Sequence, residues 1–179
     1  AELGPFADPA FPMEFHRHFT HSIVFIPVGG LLATLPFLFS KVVRQKFWLA
    51  FAAATVGCAT HALLDCCTVY GTMWYWPFTH RRIAWDLIAI IDPLFTIPLA
   101  IGVVIAWRRT RAYPAIFALL WCVFYMGVGF VQRERTLAAQ REIARQRGHT
   151  IERGRAFPGF GSLLWWRSVY ECDHRLWAD

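Results

Sequence analysis

The sequence predicts an all-α integral membrane bundle of about four transmembrane helices, followed by a basic C-terminal tail. Three observations carry that expectation. The 179 residues are 56% hydrophobic and only 17% charged, and the mean hydropathy is +0.37, which is too apolar for an ordinary soluble domain. Four long apolar runs follow one another between short polar joints. Sixteen Phe and nine Trp supply aromatic rings of the kind that gather at membrane interfaces.

The elements are read in order. Residues 1–15 form a loop, because Pro5, Pro9 and Pro12 block a regular helix. The first apolar run is Ser22 to Ser40, long enough to span with a little tilt, although Pro27, Gly29, Gly30 and Pro36 interrupt it. Phe47 to Leu64 is the second, and its Ala52, Ala53, Ala54 and Gly57 favour close helix approach at the centre of a bundle. Residues 66–82 make an aromatic, irregular connector with Gly71 and Pro77. Ile83 to Trp107 is the third run, with Asp86, Asp92, Pro93 and Pro98 inside it, and Ala112 to Val131 is the fourth.

The boundary expected from this pattern divides a membrane domain, 1–131, from a tail, 132–179. The tail opens with a surface helix that Gly148 stops, then passes to the start of a small β-rich element that the chain ends too early to close. The net charge of +6, with much of the Arg after residue 131, points to anionic membrane lipids as partners. No stacking motif or recognition helix is visible, so no nucleic acid is expected. The spacing of Cys58, Cys66, Cys67, Cys122 and Cys172 is neither a disulfide framework nor a zinc ribbon. The first residue is Ala, and no signal peptide is seen, so a fragment or processed product is the expectation.

Chemistry concentrates at two places. His16, Arg17, His18 and His21 lie just before the first run, and His61 and Asp65 close the second. Four spans would put both blocks, together with the connector, on one side of the membrane. His61 and Asp65 are four apart on a helix, share a face, and could clamp one divalent ion through nitrogen and oxygen; Thr68 extends that face. A His–Asp hydrogen bond between helices is the plainer alternative. His16 and His21 would not share a helical face, but with Thr20 as an N-cap His16 could fold back from the preceding loop. His18 with His21 is the other possible pair. Arg17 suits an anion such as phosphate. Asp92 stands before Pro93, where a ligand or a general base could work. Asp86 fits the start of a helix, where a carboxylate favours the macrodipole. His149 and His174 read as plain surface residues.

Taken in order, HRHFTHS, THALLDCCTVYGTMWYWPF and RRIAWDLIAIIDPLFTIPL resemble the YdjM-like family of membrane-bound, metal-dependent hydrolases, some of them LexA-regulated. The resemblance covers residues 16–97. That family is itself distantly similar to bacterial zinc phospholipases C and fungal zinc nucleases. The resemblance implies metal ligands at His16, His21, His61 and Asp65, with Asp92 a further functional position and zinc, or manganese, as cofactor. It implies an inner-membrane location. Read with the residues, it gives a hydrolase acting on an anionic, lipid-like phosphoester through metal-activated water, with Arg17 holding substrate and Asp92 or Asp65 taking the proton. Two departures stand out: His18 occupies a usual Gly position, and no counterpart exists for the family's N-terminal Pro-Asp-x-Asp helix. The sequence therefore looks shortened at both ends. The rival readings are a proton or ion relay through His61, Asp65 and Asp92, and a structural protein that binds lipid or a partner through its basic tail.

Overall fold

The computed structural model describes residues 19–159, 161 and 163–179. The chain divides into two compact units, Ala1–Ala84 and Trp85–Asp179.

In the first unit, a 3₁₀ turn at Phe19–His21 precedes helix α1, Ile26–Thr34, which tightens into a second 3₁₀ turn at Leu35–Phe37. Pro27 sits in the first turn of α1, where its missing N–H costs nothing, and Pro36 opens the 3₁₀ turn. A short helix α2, Lys41–Gln45, leads to α3, Phe47–Cys67. Helices α1 and α3 pack antiparallel. Gly30 meets Thr55 and Gly29 meets Cys58, and a methyl group on Gly30 would collide with the Thr55 backbone. The small residues that permit this approach are therefore on α1. Gly57 on α3 faces open space, and Trp48, Leu49, Val56 and Leu63 are exposed, so α3 does not sit at the centre of a bundle. After α3, Thr72 pairs with Ile83 in an isolated antiparallel bridge. Gly71 beside it has φ +61, and a side chain there would strike the Ile83 carbonyl, so glycine is required.

The second unit contains α4, Pro93–Arg109, and α5, Tyr113–Arg147. Asp92 is the N-cap of α4, accepting from the Phe95 N–H at 3.3 Å, and Pro93 occupies the first turn. Pro98 leaves the Leu94 carbonyl without its helical donor, and the Trp121 indole of α5 donates to it at 2.9 Å. Helix α5 runs unbroken for 35 residues until Gly148, at φ +71, caps it. Three antiparallel strands follow: β1, Arg153–Pro158, β2, Trp166–Cys172, and β3, Arg175–Ala178. Arg153 lies opposite Glu171 on β2, and Cys172 opposite Arg175 on β3. The β2–β3 turn is Asp173-His174, both at positive φ, which matches the twist of a two-residue hairpin. Tyr170 and Cys172 of β2 pack on Ala144 of α5. Buried Gln140 of α5 donates to the Ser168 hydroxyl at 2.9 Å and to the Val169 carbonyl at 3.1 Å.

This architecture corrects the expected all-α bundle of four spans. A three-stranded antiparallel sheet is present, in the order β1-β2-β3. Among the described residues, two helices, Phe47–Cys67 and Tyr113–Arg147, are long and apolar enough to cross a membrane. Prolines account for the two lost spans. The first run shrinks to Ile26–Phe37 between Pro27 and Pro36, and the third begins its helix only at Pro93. Its 17 residues rise about 25 Å, short of a ~30 Å hydrocarbon core. The fourth run and the tail helix are one continuous element, because no Gly or Pro falls between 130 and 147.

Candidate metal centre

Three donor groups converge at the C-terminal end of α3. His61 and Asp65 share its face, as their spacing requires, and the antiparallel packing of α1 brings His21 onto them. The Asp65 carboxylate Oδ2 lies 3.2 Å from His21 Nε2 and 3.8 Å from His61 Nε2, and the two Nε2 atoms are 3.3 Å apart. Asp65 and His21 are largely enclosed, with side chains 9% and 20% exposed, whereas His61 is 68% exposed and open to solvent or substrate.

The loop that delivers His21 is fixed by its neighbours. Its other ring nitrogen, Nδ1, is 2.8 Å from the Thr20 hydroxyl. The buried Ser22 hydroxyl donates to the Phe19 carbonyl at 2.8 Å, and the Ile23 N–H donates to the Trp74 carbonyl at 2.9 Å. The Phe19 ring packs on Trp76. The aromatic connector thus holds the first block against the end of α3. Thr68, buried, donates to the Asp65 carbonyl at 2.8 Å and ends that helix.

The donor set suits a divalent ion. Two imidazoles and a carboxylate are zinc ligand types, and at bonds of about 2.0–2.1 Å a tetrahedral site spaces its donors about 3.3 Å apart. Two of the three separations meet that value, and the third involves the exposed His61 ring, which has room to turn. The three donor atoms lie within 4.8 Å of one another. The Thr20–His21 contact is the kind of outer hydrogen bond that fixes the tautomer of a ligating imidazole. Thr20 therefore orients a ring and does not cap a helix: α1 begins at Ile26 without a side-chain cap.

The other predicted positions fall differently. His16, Arg17 and His18 lie outside the described residues. Asp92 belongs to the second unit, where both its oxygens accept from the buried Tyr125 hydroxyl at 2.9 and 3.0 Å. Asp86 is not at a helix start. It stands at φ +56 in the segment before α4, and its carboxylate takes two bonds from Arg155 of β1, at 2.6 and 2.8 Å. Burial pushes the Asp86 carboxyl above its ordinary range, and the Arg155 and Arg133 charges pull only partly against it. His149 is no plain surface residue, since its Nδ1 is 3.0 Å from the Tyr170 hydroxyl and its ring packs on Trp177. His174 is a turn residue, grouped with Glu152 and Glu171 at the exposed end of the sheet. Sequence reading missed Tyr125, Arg155 and Gln140, which carried no local signal: each is identified by a partner at least 15 residues away.

The model of one protein family, the YdjM inner membrane proteins, matches residues 3–136. The chain belongs to that family. It is an inner-membrane protein, and the outward-facing apolar side chains of α3 and α5 agree with insertion. No curated protein and no solved structure shows significant similarity to the chain.

Proposed function

We propose that this YdjM-family protein is a membrane-bound, metal-dependent hydrolase acting on a phosphoester with lipid-like character. The observation that carries the reading is the convergence of His21, from the turn before α1, with His61 and Asp65 of α3, some 40 residues later in sequence, with His21 oriented from behind by Thr20. In this proposal His21, His61 and Asp65 hold zinc or manganese, and His16, from the same sequence block, supplies a further donor. A divalent ion at such a site supplies Lewis acidity and lowers the pKa of water.

The chain's own residues do the rest. Asp65 is the enclosed carboxylate, and in this proposal it takes the proton from the attacking water. Exposed His61 leaves one side of the site open to substrate. Arg17 is the proposed anion holder, since its planar fork matches two phosphate oxygens. Asp92 is committed to capping α4 and to Tyr125, so in this proposal it stabilises the second unit and proton transfer is assigned to Asp65. The lipid-like substrate class is supported by the location of the site at the end of an apolar helix, beside Trp74 and Trp76. The phosphoester chemistry is the reading suggested by the distant similarity of the YdjM-like family to zinc phospholipases C.

The test is metal content of the detergent-purified protein by mass spectrometry, followed by turnover of phosphodiester and phosphomonoester lipids. Near-stoichiometric zinc or manganese, lost in His61→Ala and Asp65→Ala with helicity retained, together with metal-dependent turnover, is the expected result. A folded protein that takes up no added divalent metal would overturn the reading. Metal binding with proton flux into liposomes and no turnover would favour the relay instead.

A further inference from the structure

The geometry points to a binding site for one anionic phospholipid of the surrounding bilayer, in the groove between α4 and α5 of the second unit, formed by residues other than the candidate metal ligands. The groove has a volume of 620 Å³ and is lined by Pro98, Ile101, Ile105, Phe117 and Trp121, with Arg109 at one end. Its floor is set by Gly102, where a methyl group would strike Ala118, so the two helices touch there and leave a channel beside the contact. All of these residues belong to the second unit.

Three properties fit a lipid. The first is depth. Helix α4 packs along the apolar half of α5, a helix long enough to cross the membrane, so the groove lies in hydrocarbon. From Pro98 to Arg109 it rises about 16 Å, about half of a ~30 Å hydrocarbon core and therefore one leaflet. An acyl chain laid along it would bring its headgroup to Arg109. The second is charge. Arg108, Arg109 and Arg111 crowd the turn between the helices, at the end of the apolar stretch where headgroups lie, and no acidic residue occurs between 93 and 133. Arg109 alone of the three lines the groove. The third is that the far end carries a fixed side chain, since Trp121 is tied to the Leu94 carbonyl that Pro98 leaves open. Fixed apolar walls ending in one cation match a phosphate diester on an acyl chain; a helix from another protein would have to bury Arg109.

The experiment reconstitutes the full chain in bilayers of equal phosphatidylglycerol and phosphatidylcholine, extracts it gently, and counts retained lipid by native mass spectrometry. Wild type is expected to retain one phosphatidylglycerol, favoured about fivefold over phosphatidylcholine for one arginine near the surface. Arg109→Gln should bring that preference close to parity, whereas Arg108→Gln, one residue outside the groove, should keep it. Ile105→Trp, which fills the channel, should lose retention of both lipids. Circular dichroism and gel filtration establish that each variant is folded, and Ile101→Trp replaces Ile105→Trp if the latter is not. The site is overturned if Arg109→Gln keeps the preference, if Arg108→Gln loses as much as Arg109→Gln, if the filled groove still retains lipid, or if a second copy of the chain is found there in place of lipid.

Discussion

The Nε2 atoms of His21 and His61 lie 3.3 Å apart, and both reach the same oxygen of Asp65. Two ring nitrogens at that separation can share one proton or one metal ion. If they share a metal, ligand binding must stabilise the fold. Adding zinc at about a hundred times its dissociation constant should stabilise the protein by about 2.7 kcal/mol. The rise in thermal midpoint should vanish in His21→Ala and Asp65→Ala. Equal rises in wild type and both variants would place the metal elsewhere.

Thr20 should matter through His21 alone. Thr20→Val keeps the shape but removes the hydroxyl beside Nδ1. Loss of an outer-shell partner typically weakens metal binding by about 10–100-fold, and Thr20→Ser should restore it. A competition titration against a zinc chelator measures both variants. A valine variant with unchanged affinity would show that Thr20 does not orient the ring.

Gly30 couples helix packing to the site. Gly30→Ala forces α1 away from Thr55 on α3, and those helices carry the His21 loop and His61. The substitution should cost about 1–3 kcal/mol by overpacking and lower metal affinity, although residue 30 is no ligand. Gly57→Ala, which meets open space, is the matched control: it should leave metal affinity unchanged and, by helix propensity, stabilise the fold by about 0.5–1 kcal/mol.

Asp86 gives a pH dependence whose sign runs against the usual carboxylate. Burial raises its folded-state pKa, so the folded protein holds this proton more tightly than the unfolded chain does. The group's contribution is fully present below the ordinary carboxylate pKa of about 4, and it is lost as pH rises through the raised value. Asp86→Asn should flatten that part of the profile. Thermal midpoints of wild type and variant from pH 3.5 to 7 provide the comparison. A difference that grows in the opposite direction would refute the assignment.

The grouping of His61 with Asp65 was more legible in the sequence than the fold. The i, i+4 spacing of His61 and Asp65 fixes a shared face whatever surrounds them, so that pair could be read directly. The convergence with His21 could also be anticipated, but from a count of four spans that the structure does not support. It arises instead from Gly29 and Gly30, which let a 9-residue helix pack antiparallel on α3. Hydropathy overestimated the spans because it averages over prolines. Pro27, Pro36 and Pro93 set the helix ends while leaving the apolar count untouched. The sheet was only half visible. Its hairpin turns on Asp173-His174, which lacks the usual glycine, and its anchor to α5 is Gln140, which looks like any polar residue of a basic helix.

The unbroken course of α5 constrains how the sequence can change. Gly129 of this helix lies against Leu87, close to Asp86, while Gln140 and Ala144 carry the sheet whose Arg155 returns to Asp86. The stretch between them is therefore a ruler. Inserting a single residue at positions 132–139 would turn the sheet about 100° around the helix axis and lift it about 1.5 Å, carrying Arg155 away from its partner. Substitution at the exposed positions Glu134, Arg135, Ala138 and Ala139 leaves that spacing intact, whereas a change of length does not.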